Sequence, residues 1–347
     1  MSRFRITATL TVAVLALAAC SGGQSATSGS PGTSAGSAES LTVYSGRSEE
    51  RIAPLFARFT EETGIQVAAR YGDSAELAAQ LVEEGGASPA AIFFSPDAGA
   101  LGAVDAAGLL APLPAGAADA VPPAYRAPNG HWTGVTGRVR VIAYDGEQLA
   151  AAEVPTSVFD LTDPAWKDQV GIAPTNASFQ SFVTAMRLTT GDTATKAWLK
   201  GLVANGVKKY EKNGLILDAV DTGQIKLGLI NHYYWYVKAA EVGAENMRAQ
   251  VAFTAPEDPG TLVNVAAVGI LSGAAENSAA QQFVSWLLST PAQQWFVENT
   301  YEYALVQGVA QAEGLPALDS LRGPDVPLAE LADLPGTLMI LQDVGLL

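Results

Sequence analysis

The chain has 347 residues, of which 48% are hydrophobic, and its formal net charge at pH 7 is −15. This acidic balance argues against nucleic acid or an anionic membrane surface as a partner, because both carry negative charge themselves. The single cysteine, Cys20, excludes an intrachain disulfide, so a hydrophobic core must supply the stability of the fold.

The first twenty residues follow the order of a bacterial lipoprotein leader. Arg3 and Arg5 precede an apolar run over residues 6–19, which is too short to span a bilayer comfortably. The run ends in Leu-Ala-Ala before Cys20, and small residues before a cleavage point are typical of a signal peptide. We therefore predict a signal peptide over residues 1–19 and a lipid on Cys20. The mature protein is then extracytoplasmic and attached to the cell membrane through its lipid alone.

A flexible tether and a large folded region follow the leader. Residues 20–40 are rich in Gly, Ser, Ala and Thr, have almost nothing to bury and are typical of a linker. Residues 41–347 are numerous enough for two domains. Hydrophobic periodicity and capping residues predict these elements, in chain order: a strand at 41–44, a helix over 48–62 ended by Gly64, a strand at 65–71, a helix over 74–84 capped by Ser74, a strand at 90–95, a helix over 97–107, strands at 138–144 and 170–173, a helix after Asn176, a strand at 227–231 with a helix behind it, and a strand at 262–271.

Strands that alternate with helices predict an α/β fold, with a parallel sheet covered by helices. The strands at 138–144 and 262–271 are far apart in sequence, and the chain between them repeats the alternation. A chain that leaves one lobe, builds a second and returns needs two such crossing strands. We therefore predict two lobes with a cleft between them, where the carboxyl ends of the strands face the ligand.

Few residues of this chain carry an obvious chemical motif. The histidines are His131 and His232, and neither lies in a recognisable nucleophile or zinc motif. Residues 231–236 form a run of aromatic side chains behind a predicted strand. Two phenol rings in the first turn of a helix can converge on a point beyond its end. An ordinary core patch would have the same composition, and the residues alone leave both readings open.

Seven short motifs occur along the folded region. They are residues 42–46 (TVYSG), 59–64 (FTEETG), 109–112 (LLAP), 136–140 (TGRVR), 163–166 (DPAW), 174–179 (PTNASF) and 231–234 (NHYY). In this order and spacing the sequence resembles the ferric-iron-binding receptors of ABC importers, a branch of the two-lobed extracytoplasmic solute receptors. The resemblance implies a type II periplasmic-binding-protein-like α/β fold hinged by two crossing strands. Its implied lobes are residues 41–139 plus 264–314 and residues 140–263 plus 315–347.

The resemblance also implies a function. A monomer would bind ferric iron with a synergistic anion and deliver it to a membrane permease driven by an ATPase. A receptor of the same fold for a phosphonate, a polyamine or thiamine is the alternative, but such relatives lack the tyrosine pair. A surface hydrolase is a third class, and the sequence offers no convincing nucleophile, base and oxyanion motif for it. We therefore expect a binding protein and not an enzyme.

By this resemblance Tyr233 and Tyr234 are paired metal ligands. Tyr144 matches a tyrosine that some members add from a crossing strand, although it can also be a packing ring in the hinge. Fe(III) is a small, hard ion that prefers anionic oxygen, and a phenolate supplies it. The bound cation would lower the pKa of a tyrosine far below its usual value of about 10.

The N-terminal lobe departs from the family at its metal positions. Several members have a histidine where this chain has Ser48, and others have a glutamate where it has Pro96, next to Asp97. Glu49 is a candidate carboxylate ligand, although the helix dipole also favours an acid in a first turn. The resemblance therefore implies a tyrosine-only site that an anion completes.

Carbonate, phosphate or a similar anion completes the iron site in the family. The matching stretch here is Asn176, Ala177 and Ser178 at a predicted helix start, where backbone N–H groups and the helix dipole favour an anion. Asn213 matches another polar contact. Arg47 and Arg138 are candidates for bidentate guanidinium contacts to such an anion, or for pairing between the lobes.

Overall fold

The computed structural model describes residues 40–347, so the predicted signal peptide, Cys20 and nearly all of the linker lie outside the described residues. Within that range, no helix has the length and apolar character needed to cross a membrane. The strands are β1 Ser40–Ser45, β2 Gln66–Tyr71, β3 Ile92–Ser95, β4 Leu110–Ala111, β5 Trp132–Asp145, β6 Val170–Ile172, β7 Lys208–Lys209, β8 Leu227–Asn231, β9 Ala249–Ala252, β10 Val263–Leu271 and β11 Tyr303–Ala304. The α-helices are α1 Glu49–Thr63, α2 Ser74–Glu84, α3 Ala98–Ala106, α4 Ala177–Thr190, α5 Asp192–Ala204, α6 Asn213–Asp221, α7 Tyr233–Val242, α8 Ser278–Leu287, α9 Thr290–Thr300 and α10 Leu334–Asp343.

The predicted alternation of strands and helices is confirmed, and local chemistry explains the element ends. Helix α1 stops at Gly64, which has a left-handed φ of 77° and donates its N–H to the Thr60 carbonyl. At α2 the cap differs from the prediction. The side chain of Asp73 accepts from the N–H of Ala75 at 2.8 Å, and Ser74 is the first helical residue instead of the cap.

The first lobe is built on a mixed sheet with the strand order β2-β1-β3-β10-β5. Strand β1 pairs in parallel with β2 and β3, whereas β10 runs antiparallel to both β3 and β5. Aromatic rings of α1 and α8 fill the core beneath the sheet, with the rings of Phe59 and Phe283 edge to face at 5.0 Å. These contacts fix α1 so that its N-terminal turn lies at the carboxyl end of β1.

The second lobe is built on the strand order β5-β8-β6-β7, with β9 pairing β5 on the other side. Strand β6 pairs in parallel with β7 and β8, while β5 is antiparallel to β8. Helix α4 packs its buried face, including Phe179 and Phe182, into a core shared with Trp198. This packing fixes the start of α4 at the carboxyl end of β6.

Strand β5 belongs to both lobes. Its residues 132–139 pair with β10, and its residues 140–144 pair with β8. One continuous strand of 14 residues therefore joins the two sheets. Strand β10 returns the chain from β9 to the first lobe. The predicted two-lobed α/β fold with crossing strands is thus the fold observed.

The C-terminal segment makes a further connection between the lobes. Residues 328–332 pack on α3 of the first lobe, and Leu328 and Leu331 enter that lobe's core. Helix α10 then packs on α4 of the second lobe, where the hydroxyls of Thr184 and Thr337 share a hydrogen bond of 2.7 Å. The implied assignment of all of residues 315–347 to the second lobe therefore needs correction, because the apolar side chains of residues 328–332 are buried in the first.

The contact between α3 and the C-terminal segment depends on glycine. A methyl group at Gly99 would lie 2.6 Å from the carbonyl oxygen of Leu331, so the backbone would have to shift. We expect Gly99→Ala to lower the free energy of unfolding by about 1–3 kcal/mol, as overpacking does, despite the higher helix propensity of alanine. Urea denaturation measures this. Gly86→Ala is the control, since nothing lies within 4 Å of its added methyl, and equal stability of the two variants would contradict the contact.

Candidate functional site

Six strand-to-helix junctions open onto one cavity of about 180 Å³ between the lobes. Three belong to the first lobe (β1–α1, β2–α2 and β3–α3) and three to the second (β6–α4, β7–α6 and β8–α7). The first turn of a helix presents free N–H groups and the positive end of its dipole. A cavity ringed by such turns attracts negatively charged groups.

The tyrosine pair lies at one of these junctions. Strand β8 ends at Asn231, and Tyr233 and Tyr234 are the first two residues of α7. Their rings stack with centroids 4.6 Å apart and planes 25° apart, and both line the cavity. Both phenol rings of this first turn therefore border the same cavity. Burial, and then the neighbouring Tyr234, raise the pKa of Tyr233 above its usual value, so its phenol is protonated in the free protein.

His232 positions this pair. It is buried, and its Nδ1 accepts from the N–H of Val139 at 3.2 Å while its Nε2 is 2.9 Å from the carbonyl oxygen of Tyr301. Burial lowers the pKa of His232 to about 4, so the ring is neutral and Nε2–H is the donor to Tyr301. Both nitrogens are thereby occupied, and the ring ties the start of α7 to β5.

The predicted anion residues come together at the start of α4. The Asn176 side chain caps the helix, accepting from the N–H of Ser178 at 3.2 Å and from its hydroxyl at 2.6 Å. The amide of Asn213 donates to Asn176 Oδ1 at 3.3 Å, and Ala177 also lines the cavity. The Oδ1 of Asn213 is buried without a hydrogen-bond partner within residues 40–347. A buried acceptor in that state indicates that this wall is built to meet a ligand donor.

Arg47 and Arg138 line the cavity, and each already holds a carboxylate. Arg47 donates two hydrogen bonds to Glu302, at 2.9 and 2.7 Å, and Arg138 donates to Asp97 at 3.2 Å. Burial alone would raise the pKa of Glu302, but Arg47 and Arg138 outweigh it and hold that pKa below its usual value. Both pairs join residues of the first lobe, so they are not the pairing between the lobes that the sequence left open. Glu302, 255 residues away from Arg47, could not be found from any local motif.

Two further arginines at this site were missed by the sequence analysis. Arg140 donates to the Ser178 hydroxyl at 2.9 Å, and burial together with Arg138 lowers the pKa of Arg140 to about 9. Its position two residues after Arg138 puts both on one face of β5, which was a usable signal. Arg51, in the first turn of α1, lies with its guanidinium carbon 5.3 and 5.1 Å from the centroids of the Tyr233 and Tyr234 rings. No sequence pattern pointed to this contact between the lobes.

Tyr144 lies away from the cavity. It pairs with Leu227 at the start of β8, whereas Arg140 pairs with Asn231 at the end beside the tyrosine pair. Four residues of strand separate these positions by on the order of 13 Å, and the Tyr144 ring packs against the core of the second lobe. Of the two alternatives from sequence, the packing ring in the hinge fits this placement, and we leave Tyr144 out of the ligand set proposed below.

The candidate residues of the first lobe also differ in whether they line the cavity. Glu49 is exposed in the first turn of α1 and is not among the residues that line the cavity, whereas Ser48 and Pro96 are. Asp97 lines the cavity but is committed, because it caps α3 and its Oδ2 accepts from Ser181 at 2.7 Å as well as from Arg138. Asp97 therefore joins the first lobe to α4 of the second.

Comparisons with known proteins show the family to which this chain belongs. A family model described as bacterial extracellular solute-binding protein matches residues 87–322. The chain is 35% identical over 302 residues to an Fe(3+)-binding periplasmic protein of Serratia marcescens, which covers 86% of this chain and 89% of the relative.

Two solved structures share the fold. Iron-bound HitA from Pseudomonas aeruginosa superposes with a TM-score of 0.84 at 33% identity, over 88% of this chain and 99% of that one. A Trichodesmium protein (IdiA, FutA) in complex with iron and citrate gives a TM-score of 0.76 at 26% identity, over 89% of this chain and all 100% of that one.

The buried Arg47–Glu302 pair is testable by its stability and its pH dependence. Glu302→Gln leaves Arg47 buried without a charged partner, and we expect a loss of about 3–5 kcal/mol in the free energy of unfolding at pH 7. Because the pKa of folded Glu302 lies below the ordinary 4.5, its contribution is present above pH 4.5 and is lost as the pH falls through the folded-state value. The difference between wild type and variant in urea denaturation should therefore shrink on acidification.

Glu298→Gln serves as the matched control, since Glu298 is an exposed acid of α9. Its stability should stay within about 0.5 kcal/mol of wild type. A gap between wild type and Glu302→Gln that is the same at pH 7 and pH 3 would show that the charge of Glu302 is not what stabilises the fold.

Proposed function

Because the chain belongs to the family of bacterial extracellular solute-binding proteins, in the branch of ferric-iron receptors, we propose that it binds ferric iron outside the cytoplasm and delivers it to an ABC import permease driven by an ATPase. The observation that carries the proposal is the stacked pair Tyr233–Tyr234 at a helix N-terminus inside the cleft between two lobes.

The residues around the pair suit the binding of a trivalent cation. Two phenolates supply anionic oxygens, and the first turn of α7 together with nearby guanidinium groups stabilises the negative charge that develops on them. The free phenol of Tyr233 is protonated, so iron must displace its proton as it binds. Affinity therefore falls as the pH drops, because protons compete with the metal for each oxygen.

A synergistic anion fills coordination positions that the protein leaves open. Asn176, Ala177, Ser178 and Asn213 form its cradle at the start of α4, and this is supported by the side-chain amide of Asn213, which donates toward this point, and by the helix dipole. Carbonate and phosphate have the required charge and size. The Trichodesmium relative is described in complex with iron and citrate, which adds a polycarboxylate to the candidate anions.

The location of the protein in the cell and its attachment to the membrane are part of the same proposal. A lipid on Cys20 holds the mature chain at the outer face of the cell membrane, and the linker of residues 20–40 lets the receptor, a monomer, reach the permease. The lobes of the fold close on iron and anion, and opening releases the iron to the permease.

The tyrosine pair is tested by colour. Purified wild-type protein with ferric ion and phosphate should be red to orange, because charge transfer from phenolate to iron absorbs visible light. Tyr233→Phe and Tyr234→Phe each remove one anionic oxygen and keep the ring, so the band should disappear and iron affinity should fall at least 100-fold. Absorption spectroscopy with a competing chelator measures both.

Tyr144→Phe is the control for these variants, and it also decides between the two alternatives for this residue. Its ring packs in the second-lobe core outside the cavity, so its colour and affinity should match wild type. A colourless wild-type protein whose melting temperature ferric ion leaves unmoved would remove the proposed function.

The lipid anchor is tested in whole cells. Cys20→Ser removes the thiol that accepts the lipid, so the protein should appear in the medium or remain unprocessed, and its iron affinity should not change. Fractionation and mass spectrometry of the mature N-terminus provide the measurement. An unmodified Cys20 on mature wild-type protein at the cell surface would contradict the anchor.

A further inference from the structure

The first-lobe wall of the cavity offers little to a metal ion. Its carboxylates are Asp73, which caps α2 and is exposed, Glu302, which accepts two hydrogen bonds from Arg47, and Asp97, whose two oxygens accept from four donors. Ser48 and Pro96 occupy the remaining junctions. The anionic oxygens that Fe(III) prefers therefore lie on the second-lobe side, in the tyrosine pair.

The same wall presents a guanidinium group. Arg51 makes no ion pair within residues 40–347, and its contacts there are with the faces of Tyr233 and Tyr234. Arg47 and Arg138 are each engaged with a carboxylate. Arg51 is thus the first-lobe cation that can change partner without leaving a buried carboxylate unpaired.

Ser74 adds a hydroxyl to this wall. It is only 2% exposed and lines the cavity, yet its Oγ has no hydrogen-bond partner within residues 40–347. Its helix does not use it, because Asp73 is the cap. Gly46 leaves room for it, since a methyl group there would collide with the Ser74 hydroxyl. A buried, unpartnered donor on the wall of a cavity is costly unless a ligand accepts from it.

The charges around the cavity require an anion. Four guanidinium groups, those of Arg47, Arg51, Arg138 and Arg140, lie around the carboxylates of Asp73, Asp97 and Glu302, which leaves an excess of one positive charge. Ferric ion held by two phenolates brings one more. Such an excess in a partly buried site is stable only with compensating negative charge, and a monovalent anion supplies too little.

We propose that the first lobe binds the anion and does not contact the metal. Arg51 and Ser74 bind the oxygens of an oxyanion with two or more negative charges, phosphate or a polycarboxylate such as citrate. The opposite side of this anion rests on Asn176 and Ser178 and ligates the iron. On binding, Arg51 exchanges the phenol faces for the anion, so the anion is what closes the first lobe over the site. The role of the iron in this scheme rests on the proposed function, and the anion contacts do not.

The first experiment omits iron. Iron-free mature protein, purified in detergent, is titrated calorimetrically with inorganic phosphate and, separately, with citrate. Arg51→Gln should weaken binding of the anion that the protein uses about tenfold or more, Arg51→Lys less, and Ser74→Ala a few-fold. Arg58→Gln is the matched control, because Arg58 lies on the same helix and is paired with Glu62 at the surface, and its affinities should equal those of wild type.

The second experiment adds ferric ion and follows the visible band of the tyrosine pair. Arg51→Gln should reach the full band at saturating anion but need about tenfold more phosphate or citrate to do so. Unchanged affinity of Arg51→Gln for both anions overturns the inference, as does loss of the band at saturating anion, which would place Arg51 at the phenols. A wild-type protein that binds no iron removes the proposed function, and the iron-free titrations still decide the anion contacts.

Discussion

The positive ends of helices, gathered at the carboxyl ends of two sheets, are the constraint on which this site depends. The parallel strands β1, β2 and β3 of one sheet, and β6, β7 and β8 of the other, place the starts of six helices on one edge of each sheet, and the two edges face each other across the cleft. The cavity is therefore electropositive before any side chain is considered, and the arginines add to a field that the backbone has already set up. Such a field also favours negative charge on the phenol oxygens of Tyr233 and Tyr234.

A buried ion pair of the first lobe supports this arrangement. Arg47 reaches from the β1–α1 junction to Glu302, next to Tyr301, which has an unusual left-handed φ of 55°. The carbonyl of Tyr301 accepts from His232, directly before the tyrosine pair. A chain of contacts thus runs from the first lobe to the start of α7, which carries the tyrosine pair. Pairs of this kind are poor sources of net stability, because desolvation offsets attraction, but they specify geometry when each partner is satisfied.

The sequence predicted much of the fold because its information is local. Apolar spacing, caps and Gly64 locate the helices, and the tyrosine pair and the Asn176 cap follow from their positions directly after strands. Tyr144 shows what local sequence patterns leave undetermined. It lies on the predicted crossing strand, but only the register of β5 against β8 shows which end of that strand faces the cleft. Arg51 and Glu302 were missed because their partners lie in other elements, and no spacing in the chain encodes those contacts.

The C-terminal segment has a mechanical consequence. Two lobes that are joined at two points can rotate freely about the line through those points. Strands β5 and β10 provide such a hinge line. Residues 328–332 on α3 and helix α10 on α4 form another attachment away from it. This attachment limits how far the two lobes can separate by rotation about that line. The length of a few residues far from the bound ligand then sets the opening angle of the cleft.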